Sequence, residues 1–208
     1  MKQNSYILFH MQNPNSLYDP NGQRLYLTQD ERAAFLKAAK TLPNDQRTFC
    51  TVLHDTGCRV SEALNMSIAH VDLSGQRIVF ETLKKRRRGV FRGVPVSPDT
   101  LDLLDIVHAV KLSGTGKHYP DPQSPLWRFS RTTAWRVVKS AMDMADIEDG
   151  AHKSPKGLRH GFGINAILSG VPVTSLQTWM GHSTLEVTSI YLNAVGAEER
   201  EIAARMWN

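Results

Sequence analysis

The period of the apolar residues changes twice along this 208-residue chain, and these changes constrain the fold more than any other feature of the sequence. Helical signals begin at Thr28, at about Asp45 and at Arg59. Strand-prone runs then occupy residues 70–73, 77–83 and 90–96. Helical signals return at Ser97, where a helix cap precedes a proline. Helices on both sides of one small sheet indicate a mainly helical α+β domain with three antiparallel strands.

Capping signals predict where two of the helices begin. Thr28 with Glu31, and Ser183 with Glu186, have the spacing of capping boxes. The second box predicts a helix that carries Tyr191 near its far end. Further helices are predicted at about 131–145, 156–169, 174–180 and 197–206, with a long loop at 112–125.

Composition excludes several classes of protein. The two cysteines, Cys50 and Cys58, are too few for a disulfide framework or a four-ligand zinc site. The sequence has no apolar run of the roughly 20 residues that a membrane span requires, and its N-terminus lacks a signal peptide, so we expect a cytoplasmic protein. The net charge of +5 is compatible with a polyanionic partner, but the position of the charges must decide.

Four residues carry groups suited to phosphate chemistry. Arg59 lies on a turn that enters a helix, and Arg159 lies at a helix start, where backbone N–H groups favour an anion. His182 directly follows a helix, and Tyr191 comes nine positions later. Each residue alone is more often structural, as a surface ion pair, a hydrogen-bonding histidine or a half-buried tyrosine. Their combination is what indicates a function.

A basic run covers nine positions, from Lys84 to Arg92, and holds six cations. It lies between the last two predicted strands and therefore forms the tip of a predicted hairpin. Such a tip fits a groove of nucleic acid, although a solvated surface is a comparable interpretation. We predict DNA contacts for Lys85, Arg86, Arg87, Arg88 and Arg92.

Two arginines, a histidine and a tyrosine together meet the needs of attack on a phosphodiester. The attack builds negative charge on the non-bridging oxygens, which two guanidinium groups can hold bidentately. Histidine donates to the same oxygens or moves a proton. The phosphate ester of a tyrosine conserves the energy of the broken bond, so rejoining requires no nucleotide cofactor. We therefore predict a site without a cofactor or a metal.

These motifs, taken in order, resemble the tyrosine recombinases, also called phage-type integrases. The matching elements are Thr56-Gly57-Cys58-Arg59-Val60-Ser61-Glu62-Ala63-Leu64, Leu158-Arg159-His160 and Trp179-Met180-Gly181-His182, followed by Tyr191. The 100 positions between the two arginines are also similar to the spacing in that family. The resemblance runs from about Leu27 to the C-terminus and covers the family's catalytic domain, whose fold we expect here.

The resemblance implies a site-specific DNA recombinase of the integrase or invertase type. It implies that Arg59 and Arg159 clamp the scissile phosphate and that His182 is the histidine of the third box. It also implies that Tyr191 attacks the phosphate, so that a 3′-phosphotyrosyl intermediate forms. Glu62 matches the family's carboxylate after the first arginine, and we expect it to support the site.

Two lysine positions leave parts of the implied mechanism open. Lys84 ends a predicted strand in the place of the family's general-acid lysine, and we favour it over the adjacent Lys85. Lys156 stands where the family usually has a histidine, three positions before the second arginine. Lysine, with a reference pKa of about 10.4 against about 6.5 for histidine, is a poorer proton shuttle near neutrality. The general base is therefore undetermined, with His160 and His152 as alternatives.

The length of the chain also departs from the family's pattern. Many members carry an N-terminal helical domain that closes around DNA, whereas we divide this chain into an irregular arm, residues 1–26, and the catalytic domain, residues 27–208. We expect a minimal recombinase that binds double-stranded DNA as a homotetramer on two sites, alone or with an accessory DNA-binding protein.

Two other functions remain as alternatives. A DNA-binding regulator on the same scaffold, with weak or no catalysis, would account for Lys156 and for the missing clamp domain. The presence of Tyr191 with both arginines favours the enzyme, because a binding protein has no need of a nucleophile. A DNA topoisomerase of related chemistry would relax supercoils without paired target sites.

Overall fold

A computed structural model of the chain describes residues 16–82, 89–192 and 206–207. In these residues the helices are α1 (Gln29–Ala39), α2 (Asn44–Thr56), α3 (Val60–Leu64), α4 (Pro98–His108), α5 (Arg131–Met144), α6 (Pro155–Leu168), α7 (Val173–Met180) and α8 (Leu185–Ser189). The strands are β1 (Val71–Asp72), β2 (Arg77–Glu81) and β3 (Phe91–Pro95), and short 3₁₀ helices form at Ile68–His70 and Val110–Leu112. The predicted mainly helical α+β fold is confirmed.

The sheet is a three-stranded antiparallel meander with the order β1-β2-β3. Ile78 in the central strand pairs with Val94 of β3, and Phe80 pairs with Arg92. Because successive side chains of a strand point to opposite faces, these four residues share one face, and all four are buried. The sheet therefore places an arginine on its inner face, towards the helices.

The first predicted capping box forms and the second does not. The backbone N–H of Glu31 donates to Oγ1 of Thr28 at 3.2 Å, and the Glu31 carboxylate accepts from the backbone N–H of Thr28 at 2.9 Å. The prediction for Ser183 is wrong, because α8 begins after Thr184. The N–H of His182 still donates to the carbonyl of Gln177 in the preceding helix, so the chain turns before α8 can start.

Two apolar clusters pack on either side of α6. The larger cluster joins α1, α2, α5 and the sheet, and Leu158 of α6 belongs to it. The smaller cluster joins α6 to α7 and α8, and it contains Phe162, Leu176 and Tyr191. Helix α6 thus contacts both clusters and holds the segment that follows α7 against the body of the domain.

Some predicted features lie outside the described residues. These are the hairpin tip with Lys84, Lys85, Arg86, Arg87 and Arg88, and most of the predicted helix 197–206. Among the helices of the described ranges, none combines the length and the apolar character that crossing a membrane would require.

Candidate active site

A cleft of about 520 Å³ brings together residues from α3, α5, α6 and the segment after α7. Five of the six predicted catalytic residues line it: Arg59, Lys156, Arg159, His182 and Tyr191. The sixth, Lys84, lies outside the described residues. Residues that are up to 132 positions apart in the sequence therefore meet at one surface.

A tight turn positions Arg59 at this cleft. Helix α2 ends at Thr56, and Gly57 adopts a left-handed backbone conformation with φ of 58°. A Cβ atom at Gly57 would lie 2.3 Å from the ring of Phe162, so both the conformation and the space require glycine. Arg59 follows as the N-cap of α3, and its side chain remains 47% exposed at the cleft.

Arg159 is buried and tied to two other elements. Its Nη1 donates to the carbonyl of Gly57 at 2.6 Å, and its Nη2 donates to the carbonyl of Met180 at 2.7 Å. Burial, followed by repulsion from Arg59, lowers the pKa of Arg159 to about 10, so the guanidinium stays charged at neutral pH. The arginine therefore joins the end of α2, α6 and the end of α7 around one fixed positive charge.

His182 is held by two hydrogen bonds in one tautomer. Its Nε2 lies 3.1 Å from Nη2 of Arg159, and its Nδ1 lies 2.9 Å from Oγ1 of Thr188. Because a guanidinium can only donate, Nε2 accepts and Nδ1 carries the proton. Burial, together with the charges of Arg159 and Arg59, lowers the pKa of His182 to about 3. The imidazole is therefore neutral while the cleft holds no anion.

Tyr191 lies two positions beyond the end of α8, whereas we predicted it inside that helix. Its side chain is 1% exposed, and its ring stacks on His182 with centroids 6.2 Å apart. A Cβ atom at Gly163 would lie 2.6 Å from the tyrosine ring, so glycine in α6 makes room for it. Burial raises the pKa of Tyr191 to about 12 against the opposing effects of Arg159 and Arg59.

Glu62 pairs with both arginines of the cleft, and its own side chain is buried. Its buried carboxylate accepts from the backbone N–H of Arg59 at 2.8 Å and from Nη1 of the same residue at 2.9 Å. Nη1 of Arg159 lies 3.9 Å from the carboxylate. Burial raises the pKa of Glu62, but the charge and hydrogen bond of Arg92 outweigh it, and the net pKa is lowered. The expected supporting role of Glu62 matches this geometry.

Arg92 does not have the role that its sequence position indicates. We predicted it as a DNA contact in the basic run, but its side chain is only 4% exposed. Its Nη2 donates to Glu62 at 2.7 Å and its Nε donates to the carbonyl of Trp179 at 2.8 Å. Strand alternation is the reason, because Arg92 shares its face with the buried Val94. Arg92 is the buried counter-ion of the Glu62 carboxylate.

The structure adds two residues to the predicted site and places two others that the sequence had singled out. Arg131 and Trp135 lie one helical turn apart on α5 and line the cleft, although we did not predict them as site residues. The sequence signal that could have identified them is a tryptophan four positions after an arginine on a predicted helix, a spacing that places both side chains on one face. Lys156 is exposed at the cleft. His152, one alternative for the base, is buried with its Nε2 3.8 Å from Glu31, and it is not among the described residues that line the cleft.

Comparisons with known proteins agree with the fold and the motifs. The sequence profile of the phage integrase family matches residues 25–197. The chain is 30% identical to tyrosine recombinase XerD of Mycobacterium leprae (strain TN), in an alignment that covers 88% of this chain and 61% of that protein. Its fold is similar to the crystal structure of XerA recombinase, with a TM-score of 0.72, 24% identity, and coverage of 87% of this chain and 64% of that one.

A second solved structure was crystallised with DNA. It is the XerH site-specific recombinase bound to its difH substrate, with a TM-score of 0.65, 19% identity, and coverage of 92% of this chain and 60% of that one. The chain thus spans about three fifths of the length of these relatives. The profile match over most of the sequence shows that this chain belongs to the phage integrase family of tyrosine recombinases and corresponds to the family's catalytic domain.

Proposed function

We propose that this chain is a site-specific DNA recombinase that cuts and rejoins DNA through a covalent bond between Tyr191 and a 3′-phosphate. The observation that carries the proposal is the convergence of two arginines, a histidine and a tyrosine on one cleft. These groups match the requirements of phosphodiester attack, which needs a clamp for the non-bridging oxygens and an oxygen nucleophile.

The cleft supplies positive charge for one phosphate. The guanidinium of Arg59 is half-exposed, and Lys156 is exposed at the same cleft. Arg159 lies deeper and is fixed by backbone carbonyls, so it is preorganised and does not have to move to bind. A phosphate held by these cations would place negative charge beside His182 and raise its pKa, so that the imidazole can donate to a phosphate oxygen.

The resting site keeps its nucleophile unreactive. Tyr191 is buried, and its pKa of about 12 leaves the phenol neutral at physiological pH. Attack requires loss of the phenolic proton, which the charge of nearby cations favours. The scissile phosphate must also reach the phenol at the floor of the cleft. DNA binding therefore has to precede activation of the tyrosine.

The proposed general acid is Lys84, with Lys85 as the alternative. Thr82, two positions before Lys84 in the sequence, lines a hollow of about 500 Å³ together with Arg59 and His182. The strand that leads to Lys84 thus ends beside the cleft, which supports a lysine of this hairpin as the group that protonates the leaving 5′-oxygen. The proposed DNA contacts of the tip are Lys85, Arg86, Arg87 and Arg88.

The proposed partner is double-stranded DNA, bound by a homotetramer on two sites, alone or with an accessory DNA-binding protein. The cations of the cleft and the hairpin sequence support the DNA partner, and the similar XerH site-specific recombinase was crystallised bound to difH substrate. The proposed reaction uses neither a cofactor nor a metal. Within the described ranges, no cluster of His, Cys, Asp and Glu side chains could hold a metal ion.

A plasmid assay separates this function from the two alternatives. DNA that flanks the gene is cloned in two copies on a supercoiled plasmid, which is incubated with the 208-residue chain. A recombinase exchanges strands only between the two copies, a topoisomerase relaxes plasmids that lack them, and a regulator binds without breaking strands. We expect exchanged products that disappear with Tyr191→Phe. Sequence-specific binding with no strand breakage would contradict the proposal.

A further inference from the structure

The hydroxyl of Tyr191 has a hydrogen-bonding partner inside the domain, and this partner is one of the two histidines that the sequence leaves as alternative bases. Nδ1 of His160 lies 3.0 Å from the phenolic oxygen, and both side chains are buried. His160 follows Arg159 directly on α6, so the residue that fixes the phosphate clamp and the residue that contacts the nucleophile are neighbours. The imidazole is therefore within hydrogen-bond distance of the phenolic oxygen, which forms the bond to phosphorus in the proposed reaction.

The direction of this hydrogen bond depends on the tautomer of His160. Nε2 of His160 is buried and makes no hydrogen bond among the described residues. Within the same part of the chain, Nδ1 is the acceptor that lies within reach of the phenolic hydrogen. When the imidazole proton is on Nε2, Nδ1 accepts from the O–H of Tyr191. In this tautomer His160 presents a lone pair to the proton that must leave during attack.

Neither Lys156 nor His182 is placed to take this proton. Lys156 occupies the position of the family's histidine, but among the described residues no hydrogen bond joins it to the hydroxyl of Tyr191, whose partner is His160. Nε2 of His182 accepts from Arg159 and its Nδ1 donates to Thr188, so neither ring nitrogen has a free lone pair for the phenolic proton. His160 is thus the described base within hydrogen-bond distance of the nucleophile.

Burial and the nearby charges keep the ring of His160 neutral in the resting site. Burial, then the positive charges of Lys156 and Arg159, lower its pKa to about 3, so the ring is neutral at any physiological pH. His182, across the tyrosine, is also neutral. A bound phosphate, and the further charge that attack builds on it, offsets Lys156 and Arg159. The pKa of His160 therefore rises as the new bond forms.

We propose that His160 is the general base for Tyr191, an inference that rests on the function proposed above. His160 takes this role because Lys156 occupies the position where the family usually has a histidine. In cleavage the phenolic O–H bond breaks and its proton passes to Nδ1, while the tyrosine oxygen forms a bond to phosphorus. The bond from phosphorus to the 5′-oxygen breaks, and that oxygen takes a proton from the hairpin lysine. In rejoining the imidazolium returns its proton to the departing tyrosine oxygen.

The test compares His160→Asn with the wild-type chain. Asparagine places an amide near Nδ1 and can keep the hydrogen bond to Tyr191, but it cannot take up a proton. The rate of adduct formation is measured in a single turnover on a nicked duplex that carries the flanking-DNA site. We expect a loss of about 100-fold or more, in the range of general-base catalysis, with DNA affinity within about twofold.

A modified leaving group separates base from acid. When sulfur replaces the bridging 5′-oxygen, departure no longer requires a proton, so the Lys84→Ala variant should regain speed. The His160→Asn variant should remain slow on both duplexes. A His160→Asn rate within about threefold of wild type would show that the contact only positions the tyrosine and would overturn the proposal. A wild-type chain that forms no Tyr191 adduct would instead overturn the proposed function.

If His160→Asn does not fold, a measurement on the wild-type chain still tests the role of His160. The ring nitrogens of His160 in ¹⁵N-labelled protein report the tautomer by NMR. We expect a neutral ring between pH 6 and 8, since the pKa lies at about 3, with its proton on Nε2 and none on Nδ1. A proton on Nδ1 in this range would overturn the assignment, because that nitrogen could not accept from Tyr191.

Discussion

Glu62 is the residue on which the arrangement of the cleft arginines depends most. It binds the backbone and side chain of Arg59, and it is the carboxylate partner of the buried Arg92. Removing one partner of a buried pair leaves an uncompensated charge, whereas an exposed pair contributes little. Glu62 therefore supports both the stability of the domain and the geometry of its phosphate clamp.

Glu62→Gln tests this role while it keeps the shape of the side chain. We expect the free energy of unfolding to fall by about 3 kcal/mol, measured by denaturant titration, because Arg92 loses its counter-ion. Glu186→Gln, an exposed carboxylate on α8, is the control and should change stability by no more than about 0.5 kcal/mol. Equal effects of the two substitutions would show that the buried network adds no stability.

The two histidines beside Tyr191 predict how stability depends on pH. Both pKa values are lowered from 6.5 to about 3 in the folded chain, so the unfolded chain binds more protons between these values. Stability should therefore fall as the pH is lowered through this window, by up to about 1.4 kcal/mol per pH unit for each group. Denaturant titrations at pH 7, 5.5 and 4.5 should show a smaller fall for His160→Asn. An identical fall in both proteins would contradict the assignment.

Sequence motifs singled out residues that line the cleft, but not the contacts between them. Arg59, Arg159 and His182 belong to recognisable boxes, so the neighbouring residues in the sequence are enough to identify them. Arg92 is buried because its side chain lies on the inner face of β3. We predicted it as a DNA contact because it follows a run of cations in the sequence, and that run does not indicate the face of the strand. The contact of His160 with Tyr191 depends on how the segment after α8 packs on α6, which no local pattern encodes.

At the scale of elements, local signals predicted most helices and strands, and the exceptions have local causes. The capping box of α1 and all three strands agree with the structure. The start of α8 does not, because residues 182 and 183 form the turn that follows Gly181, whose φ is 63°. The capping signal at Ser183 is therefore not used, because this residue lies in the turn, and the next helix begins after Thr184.

The hairpin between β2 and β3 is the element whose charge we expect to govern DNA affinity. Neutralising Arg86, Arg87 and Arg88 together should weaken binding to every DNA sequence and flatten its salt dependence. The slope of log affinity against log salt should fall by up to about 0.9 for each phosphate that the variant no longer neutralises. Binding is measured by titration at several salt concentrations. A triple variant at the exposed Lys37, Lys40 and Lys117 is the control, and an unchanged slope in the hairpin variant would contradict the prediction.

At the scale of the whole molecule, the sequence predicted one domain but not its two apolar clusters. Helix α6 joins them because Leu158 packs in one cluster and Phe162 in the other. Such packing depends on tertiary contacts between distant segments, and amphipathic patterns alone do not specify which helices meet. The same helix carries Lys156, Arg159 and His160, so the cleft lies where the two halves of the core join.

The C-terminal segment tests the proposed assembly. Ile202, Ala203, Met206 and Trp207 are apolar, and the last two are exposed in the single chain. We propose that this segment packs on a neighbouring subunit of the DNA-bound tetramer. Deleting residues 198–208 should preserve DNA binding, measured by titration, and lower recombination of the two-site plasmid. Full recombination by the truncated chain would contradict the exchange of this segment.

Trapping the covalent intermediate tests whether Tyr191 is the nucleophile. A nicked duplex with the flanking-DNA site loses a short strand after cleavage, so rejoining stops and the 3′-phosphotyrosyl adduct accumulates. The adduct is isolated in denaturant, digested and mapped by mass spectrometry. Our account predicts one modified peptide, linked at Tyr191, and no adduct with Tyr191→Phe, which keeps the ring and the fold. An adduct at any other residue, or one formed by the phenylalanine variant, would contradict it.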